Sequence, residues 1–524
     1  MPARPALCYN LAMPAGLNLG PLDAAILVGY VAMLAGIGWW AAHRTVKTTD
    51  DYFLANRSIP WLVTTASFVA TCISALTFIG TPAEGFSSDY RYLLSNPGDI
   101  LATIFIALVF LPHFQKLRVT SIYQAVAERF GPSARTTCSA YFLLTRSLAS
   151  TVRIVAIAKV LEVVTGGALS YPQCVVIVVG GILTYTTIGG GRAIAWTDLM
   201  QFFLLVIGAV AALVFIVNQV PGGIPAIVDA GRHAIRADGT VYNKFNFTEM
   251  YKPENLGLMA LMTIWGFFNS SAAYGTDQDM VQRLLACNDN RKARWSLMLW
   301  GLAGIPITFL FLSIGVGLYA YARVHPELIA GMADNDHVFP RFILGVMPHG
   351  LRGLLLAAVA SAAMGSADSA LASLSTAFTM DFYKPFWGKG KPEATVVKVS
   401  KLSFVGFGLF FMAVALCLKS MDNLLWLAFR LIAFTYGPLL GIFIVTIMTD
   451  WKLSARKVLG LMLCPTVLTF ALAMLAWHMS THGGGPFWKE LHGTYWRLYT
   501  IFGTLFVPAG AYLLREPASR PAAA

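Results

Sequence analysis

Ala66-Ser67-Phe68-Val69-Ala70-Thr71-Cys72-Ile73-Ser74-Ala75-Leu76-Thr77-Phe78-Ile79-Gly80-Thr81-Pro82 is the stretch whose reading decides the fold. It belongs to an apolar run long enough to cross a bilayer. Its middle, however, is crowded with small, hydroxylated and helix-weakening residues. In lipid every backbone polar group needs a partner within the protein, so a spanning helix breaks only where the freed groups face protein or a polar cavity. Two readings stand: a broken helix whose carbonyls coordinate a cation near the midplane, or a helix packed closely on a neighbour through its small residues.

Outward from this stretch the chain has the composition of a bilayer protein. Of its 524 residues 57% are hydrophobic and 12% charged, against about 25% charged in a soluble domain. A spanning helix needs roughly 20 apolar residues. Candidate runs begin near Leu22, Pro60, Ile100, Thr137, Tyr171, Asp198, Asn255, Trp295, Gly353, Val397, Leu424, Ser454 and Tyr495. They predict an all-α membrane protein of about 13 transmembrane helices.

The net charge of +12 would suggest nucleic acid in a soluble protein. Here Lys and Arg concentrate in alternate short loops: Arg44 to Arg57, Lys116 to Arg135, Arg283 to Arg294, Lys384 to Lys401 and Lys452 to Lys457. That pattern places these loops and the C-terminus in the cytoplasm and the N-terminus outside. The expected partners are a small solute and membrane lipid, with no nucleic acid and no obligatory protein partner. The loops Gln219 to Glu254 and Ala322 to Gly350 are external and too short to fold alone. The first twenty residues show no signal-peptide pattern.

Other chemistries find little support. Cys72, Cys138 and Cys417 lie in apolar runs without paired spacing and read as core residues. Gly189-Gly190-Gly191 lacks the Lys-Ser that completes a phosphate loop. The histidines show no metal-ligand spacing, and no interfacial loop offers the acid or metal cluster of a membrane enzyme. A secondary transporter is expected, not an enzyme.

The informative residues are those lipid would reject. The run Ala360-Ser361-Ala362-Ala363-Met364-Gly365-Ser366-Ala367-Asp368-Ser369 puts Ala362, Ser366, Ser369 and Ser373 on one helical face. Its hydroxyls are free to bond their own i−4 carbonyls, but a mid-membrane Asp368 costs roughly 2.5–3.5 kcal/mol and calls for a cavity or partner. Asp198 opens a helix after the glycine turn and is either a dipole-stabilised acid or an ion ligand. Asn269-Ser270-Ser271 suits solute hydroxyls, and Tyr274 suits stacking or gating. Asp277, Gln278 and Arg283 read as structural pairs at the cytoplasmic end. Arg153 either forks onto a solute carboxylate or pairs with Glu162 or Asp99, the pair being preferred. Arg430 poses the same choice.

Several of these stretches together resemble the sodium:solute symporter family, which includes bacterial sugar, sialic-acid and proline symporters. They are Asp50-Asp51-Tyr52-Phe53-Leu54-Ala55, Ile73-Ser74-Ala75, Thr120-Ser121-Ile122-Tyr123, Tyr185-Thr186 to Trp196-Thr197-Asp198, Tyr274-Gly275-Thr276-Asp277-Gln278 and Ser366-Ala367-Asp368-Ser369. The resemblance runs from about Asp23 to about Asp450. It implies a LeuT-type core of five plus five inverted helices within residues 60–450, an extra N-terminal helix and loop in 1–59, and extra C-terminal helices in 451–524. It also implies Na+ as the coupling ion and the bacterial inner membrane as the location.

Carried over residue by residue, the resemblance places one Na+ site at Ala70, Ile73, Ala362, Gly365 and Ser366. Gly365 stands where several members have a hydroxyl. A second Na+ or H+ site falls at Asp198, Asp368 and Ser369. Solute would meet Thr71, Ser74, Thr77, Arg153, Ser270, Ser271 and Tyr274. The function implied is Na+-coupled uptake of a small polar or anionic solute by alternating access. The alternatives are a proton-coupled symporter or facilitator of the same fold and, further off, a polytopic membrane enzyme.

Overall fold

The computed structural model describes residues 19–43, 48–74, 76–165, 167–236, 239–245, 256–332, 334–418, 424–482 and 485–515. Arg44, Ala75, Glu254 and Asn255, all used above, lie outside these. The segments that matter are α1 (Pro21–Ala42), α2 (Trp61–Cys72) and α3 (Leu76–Ser87). Then come α4 (Tyr90–Leu117), α5 (Pro132–Val164), α6 (Tyr171–Gln219) and α7 (Leu256–Thr276). They are followed by α8 (Gln278–Leu285), α9 (Asn290–Val324), α10 (Leu351–Ala377) and α11 (Glu393–Cys417). The last three are α12 (Leu424–Met448), α13 (Ala455–Thr481) and α14 (Leu498–Leu514).

Eleven helices among the described residues are long and apolar enough to cross a bilayer. The broken pair α2–α3, bent by 56°, makes a twelfth, and the shorter apolar half of α6, Tyr171–Thr184, accounts for the thirteenth expected segment. The long α6 breaks at Gly190, where φ is 58° and a Cβ would come within 2.7 Å of Tyr52 O. Only glycine holds that conformation without strain, so the Gly189-Gly190-Gly191 turn divides α6 into two segments.

α10 is the most enclosed span, with 83% of its apolar window buried. It packs on α5, α6 and α1. Its small residues let those neighbours approach, which is how helices associate where lipid is as apolar as leucine. Two further helix pairs touch backbone to backbone. Gly98 of α4 and Gly266 of α7 cross so closely that a Cβ on either would overlap a carbonyl of the other helix, Thr263 O or Ser95 O. Gly85 of α3 and Gly315 of α9 cross in the same way, against Leu312 O and Pro82 O.

A loop between α6 and α7 carries a two-stranded hairpin, Ala234–Ile235 with Val241–Tyr242. It is pinned by Lys244, whose buried Nζ donates to Phe86 O (2.7 Å), Ser88 O (2.8 Å) and Gly85 O (3.2 Å).

Candidate ion and solute site

The break between α2 and α3 follows from where its amides turn. Ile73, at φ −82° and ψ 79°, makes an inverse γ-turn. Ser74 N therefore donates to Cys72 O (3.1 Å), and Thr77 N donates to Ser74 O (2.9 Å). The regular acceptors four residues back, Ala70 O and Ile73 O, receive neither bond. These are the two α2 carbonyls that the family resemblance assigns to Na+.

Facing them on α10, Ala362, Gly365, Ser366, Asp368 and Ser369 are all buried, and Ile73 and Ala362 share one apolar cluster. Ser366 Oγ donates to Ala362 O (3.0 Å) and Ser369 Oγ to Gly365 O (2.9 Å). This is the self-satisfied arrangement open to any helical serine. It leaves each hydroxyl oxygen with lone pairs for a cation.

Asp198 of α6 is fully buried. Its Oδ2 accepts from Ser67 Oγ of α2 (2.6 Å) and lies 3.0 Å from Arg283 Nη2 of α8. Arg283 Nε donates in turn to Thr71 Oγ1 (2.6 Å). One guanidinium therefore spans the second ion position and a predicted solute residue, a reach not foreseen for a pair at the cytoplasmic end. Beside it Arg146 of α5 pairs with Asp277 Oδ2 (3.2 Å) and with Asp279. Tyr436 OH donates to Asp277 Oδ2 (2.8 Å), and Ser369 Oγ lies 3.4 Å from Asp279 Oδ2. Buried charges are tolerable only when matched and hydrogen-bonded in this way.

A cavity of about 190 Å³ borders this network, with Arg146 and Tyr436 in its wall. Thr71, Ser74, Thr77, Arg153, Ser270 and Tyr274 line it, so six of the seven solute candidates converge. Ser271 is fully buried and does not line it. Tyr274 OH accepts from Trp300 Nε1 (2.7 Å), which fixes the ring. Tyr92, Trp265 and Phe429 form an aromatic wall.

The pairing preferred for Arg153 is not made. Asp99 instead accepts from Ser270 Oγ. Glu162 lies nine residues along the same helix, which at 100° and 1.5 Å per residue puts it on the opposite face about 13 Å away. Arg153 Nε and Nη1 are buried with no hydrogen-bond partner among the described residues. Arg430 Nε is likewise without one, its guanidinium 5.8 Å from the Trp496 ring centroid.

The remaining motifs are sewn to one another. Gln278 Oε1 accepts from Ile122 N (2.9 Å), Gln278 Nε2 donates to Thr120 O (2.8 Å), and Tyr123 OH donates to Thr276 O (2.9 Å). Thr120 Oγ1 donates to Asp50 Oδ1 (2.9 Å), and Gln282 Nε2 to Phe53 O (3.1 Å). Sequence reasoning missed Asp279 and the role of Arg146. The signal was there: Arg146 stands two turns before Arg153 on one helix, and Asp279 follows a motif already containing Asp277.

A broken helix with freed carbonyls, facing a hydroxyl-lined helix and bordering a cavity lined by polar and aromatic side chains within a bundle of membrane-length helices, defines an ion-coupled transporter. The chain belongs to the sodium:solute symporter family, whose model matches residues 52–457. It is 29% identical over 449 residues to the sodium/sialic acid symporter SiaT of Proteus mirabilis, covering 85% of this chain and 88% of that one. It is 28% identical over 448 residues to human sodium-coupled monocarboxylate transporter 1, covering 84% and 71%. Among solved structures, a Na+-coupled sialic acid symporter in a substrate-bound outward-open state superposes with a TM-score of 0.80 at 25% identity, covering 94% of this chain and 97% of that one. The fold is LeuT-like, Na+ is the coupling ion, and the protein is a multi-pass membrane transporter, not an enzyme.

Proposed function

We propose that this protein carries Na+ inward together with a small organic solute bearing a carboxylate, by alternating access. The observation that supports this most is Arg153, a guanidinium on the cavity wall whose Nε and Nη1 have no partner among the described residues. A buried cationic fork left bare is expensive unless a ligand completes it. Sialic acid and monocarboxylates, named for two relatives, share that group.

Na+ is assigned first to Ala70, Ile73, Ala362, Gly365 and Ser366, and second to Asp198, Asp368 and Ser369. Two ions suit an anion. One Na+ with one monoanion moves no net charge, so a tenfold gradient worth about 1.4 kcal/mol supports only about tenfold accumulation. A second Na+ adds its own gradient and roughly 2.3 kcal/mol per 100 mV, raising this to several-thousand-fold. The core is assigned to residues 60–450, flanked by 1–59 and 451–524. The topology is N-terminus outside and C-terminus cytoplasmic in a bacterial inner membrane, with lipid the only other expected partner.

The test is thermal unfolding of purified protein in NaCl against KCl, with a carboxylated solute, its amide and a neutral sugar in parallel. Sodium-specific stabilisation that deepens only with the carboxylate is expected, since ligands of the folded state raise its stability. Equal stabilisation by the amide would refute the assignment of Arg153. No sodium effect at all would refute the ion assignment.

A further inference from the structure

Arg283 of α8 holds a carboxylate that a coupling ion is also expected to hold. Its Nη2 lies 3.0 Å from Asp198 Oδ2 and its Nη1 3.9 Å from Asp279 Oδ1, so one guanidinium stands between two buried acids. The grip on Asp198 is loose. Nη2 makes no aligned hydrogen bond among the described residues, and Asp198 Oδ1 and Asp279 Oδ1 have no hydrogen-bond partner among them either. Nε, by contrast, is fixed by its bond to Thr71 Oγ1 at 2.6 Å. The guanidinium is thus pinned at one corner, with its two Nη ends left to turn. Room for a turn exists beside it: a cavity of about 30 Å³, space for roughly one water, is lined by Ser67, Asp279, Gln282, Arg283 and Ser369. Asp279 is also prepared to receive it, since Oδ2 is taken by Arg146 while Oδ1 stays open. A buried carboxylate needs a counter-charge, yet two cations on one carboxylate repel each other. Na+ arriving at Asp198 must therefore displace the guanidinium.

We propose that Arg283 is a built-in counter-cation. It neutralises Asp198 while no ion is bound, turns to Asp279 when Na+ takes Asp198, and turns back when Na+ leaves. The inference rests on the proposed binding of Na+ at Asp198. It means that the ion-free carrier keeps its buried acid matched, and that Na+ binds against a competitor tethered beside it. Because Nε holds Thr71, a residue lining the solute cavity, the same turn reaches the solute site. The competing arrangement is a permanent Arg283–Asp198 pair that lends the site its charge without moving.

The experiment titrates NaCl against KCl at constant ionic strength and reads the Na+ concentration that half-maximally raises the melting temperature of the purified full chain. Losing a structural arginine loosens the site it supports, whereas losing a competitor tightens it. Arg283→Gln is therefore expected to lower the midpoint about tenfold or more. Asp279→Asn removes the acceptor to which the guanidinium turns. It is expected to raise the midpoint about tenfold with Arg283 present, but less than about threefold alongside Arg283→Gln. That coupling separates a moving guanidinium from a fixed one, for which the two substitutions act independently. Should one of the single variants fail to fold, the other decides by its own midpoint. A raised or unchanged midpoint in Arg283→Gln, an unchanged midpoint in Asp279→Asn, or an equal factor from Asp279→Asn in both backgrounds would overturn the proposal in favour of the permanent pair. A wild type without sodium response would instead refute the underlying reading of Asp198.

Discussion

Replacing Arg153 with Gln separates a solute-binding arginine from a structural one by the sign of two effects. Two of its nitrogens are buried without partners, and neither Asp99 nor Glu162 pairs with it. Truncation therefore breaks no ion pair and removes unsatisfied donors, which cost about 1–3 kcal/mol each when buried. The ligand-free melting temperature should hold or rise. The carboxylated solute loses hydrogen bonds to a charged group, about 1.5–3 kcal/mol, which is roughly a 10- to 150-fold weaker Kd. At a solute concentration about 100 times the wild-type Kd, the wild type gains about 2.7 kcal/mol of stability. A 100-fold weaker variant at that concentration gains about 0.4 kcal/mol by the same relation. Thermal unfolding with and without solute in NaCl, alongside calorimetric titration, reads both quantities. A lower ligand-free melting temperature with unchanged solute affinity would show that Arg153 holds the fold and not the solute.

Asp198→Ala and Ser366→Ala should each raise the Na+ concentration for half-maximal uptake in proteoliposomes; unchanged ion dependence in both discards the two assigned sites. Arg146→Met strands Asp277 and Asp279 without their shared cation. It should destabilise by about 3–5 kcal/mol, against little loss for a substitution at the exposed Arg291, measured by chemical unfolding. Burial lowers the Lys244 amine to about 8 from an ordinary 10.5. Between those values the unfolded chain binds the extra proton, so stability should rise with pH across that window and be level below it. Lys244→Met should remove that slope in melting temperatures scanned from pH 7 to 10.

Much of this architecture was legible before any coordinates because bilayer chemistry leaves few options. Apolar runs of about 20 residues located the spans, and the hydroxyl-rich, glycine-containing stretch around Ser74 offered the break as one of two readings. Six of the solute candidates converge because they sit on segments that composition had already singled out. The partners of Arg153, Arg283 and Arg146 were not legible. A guanidinium reaches across helices, and nothing local says whether its acid stands on its own helix, as Glu162 does, or on another, as Asp198 does for Arg283.

The glycine crossings have a mechanical consequence. With Gly98 against Gly266 and Gly85 against Gly315, the pairs α4–α7 and α3–α9 meet with no side chains between their backbones. Such contacts have no rotamers to repack at the crossing, so a side chain introduced at any of these four glycines would push the two helices apart. The expected signature is that Ala at Gly98, Gly266, Gly85 or Gly315 destabilises the protein although none of the four is an assigned ion or solute residue.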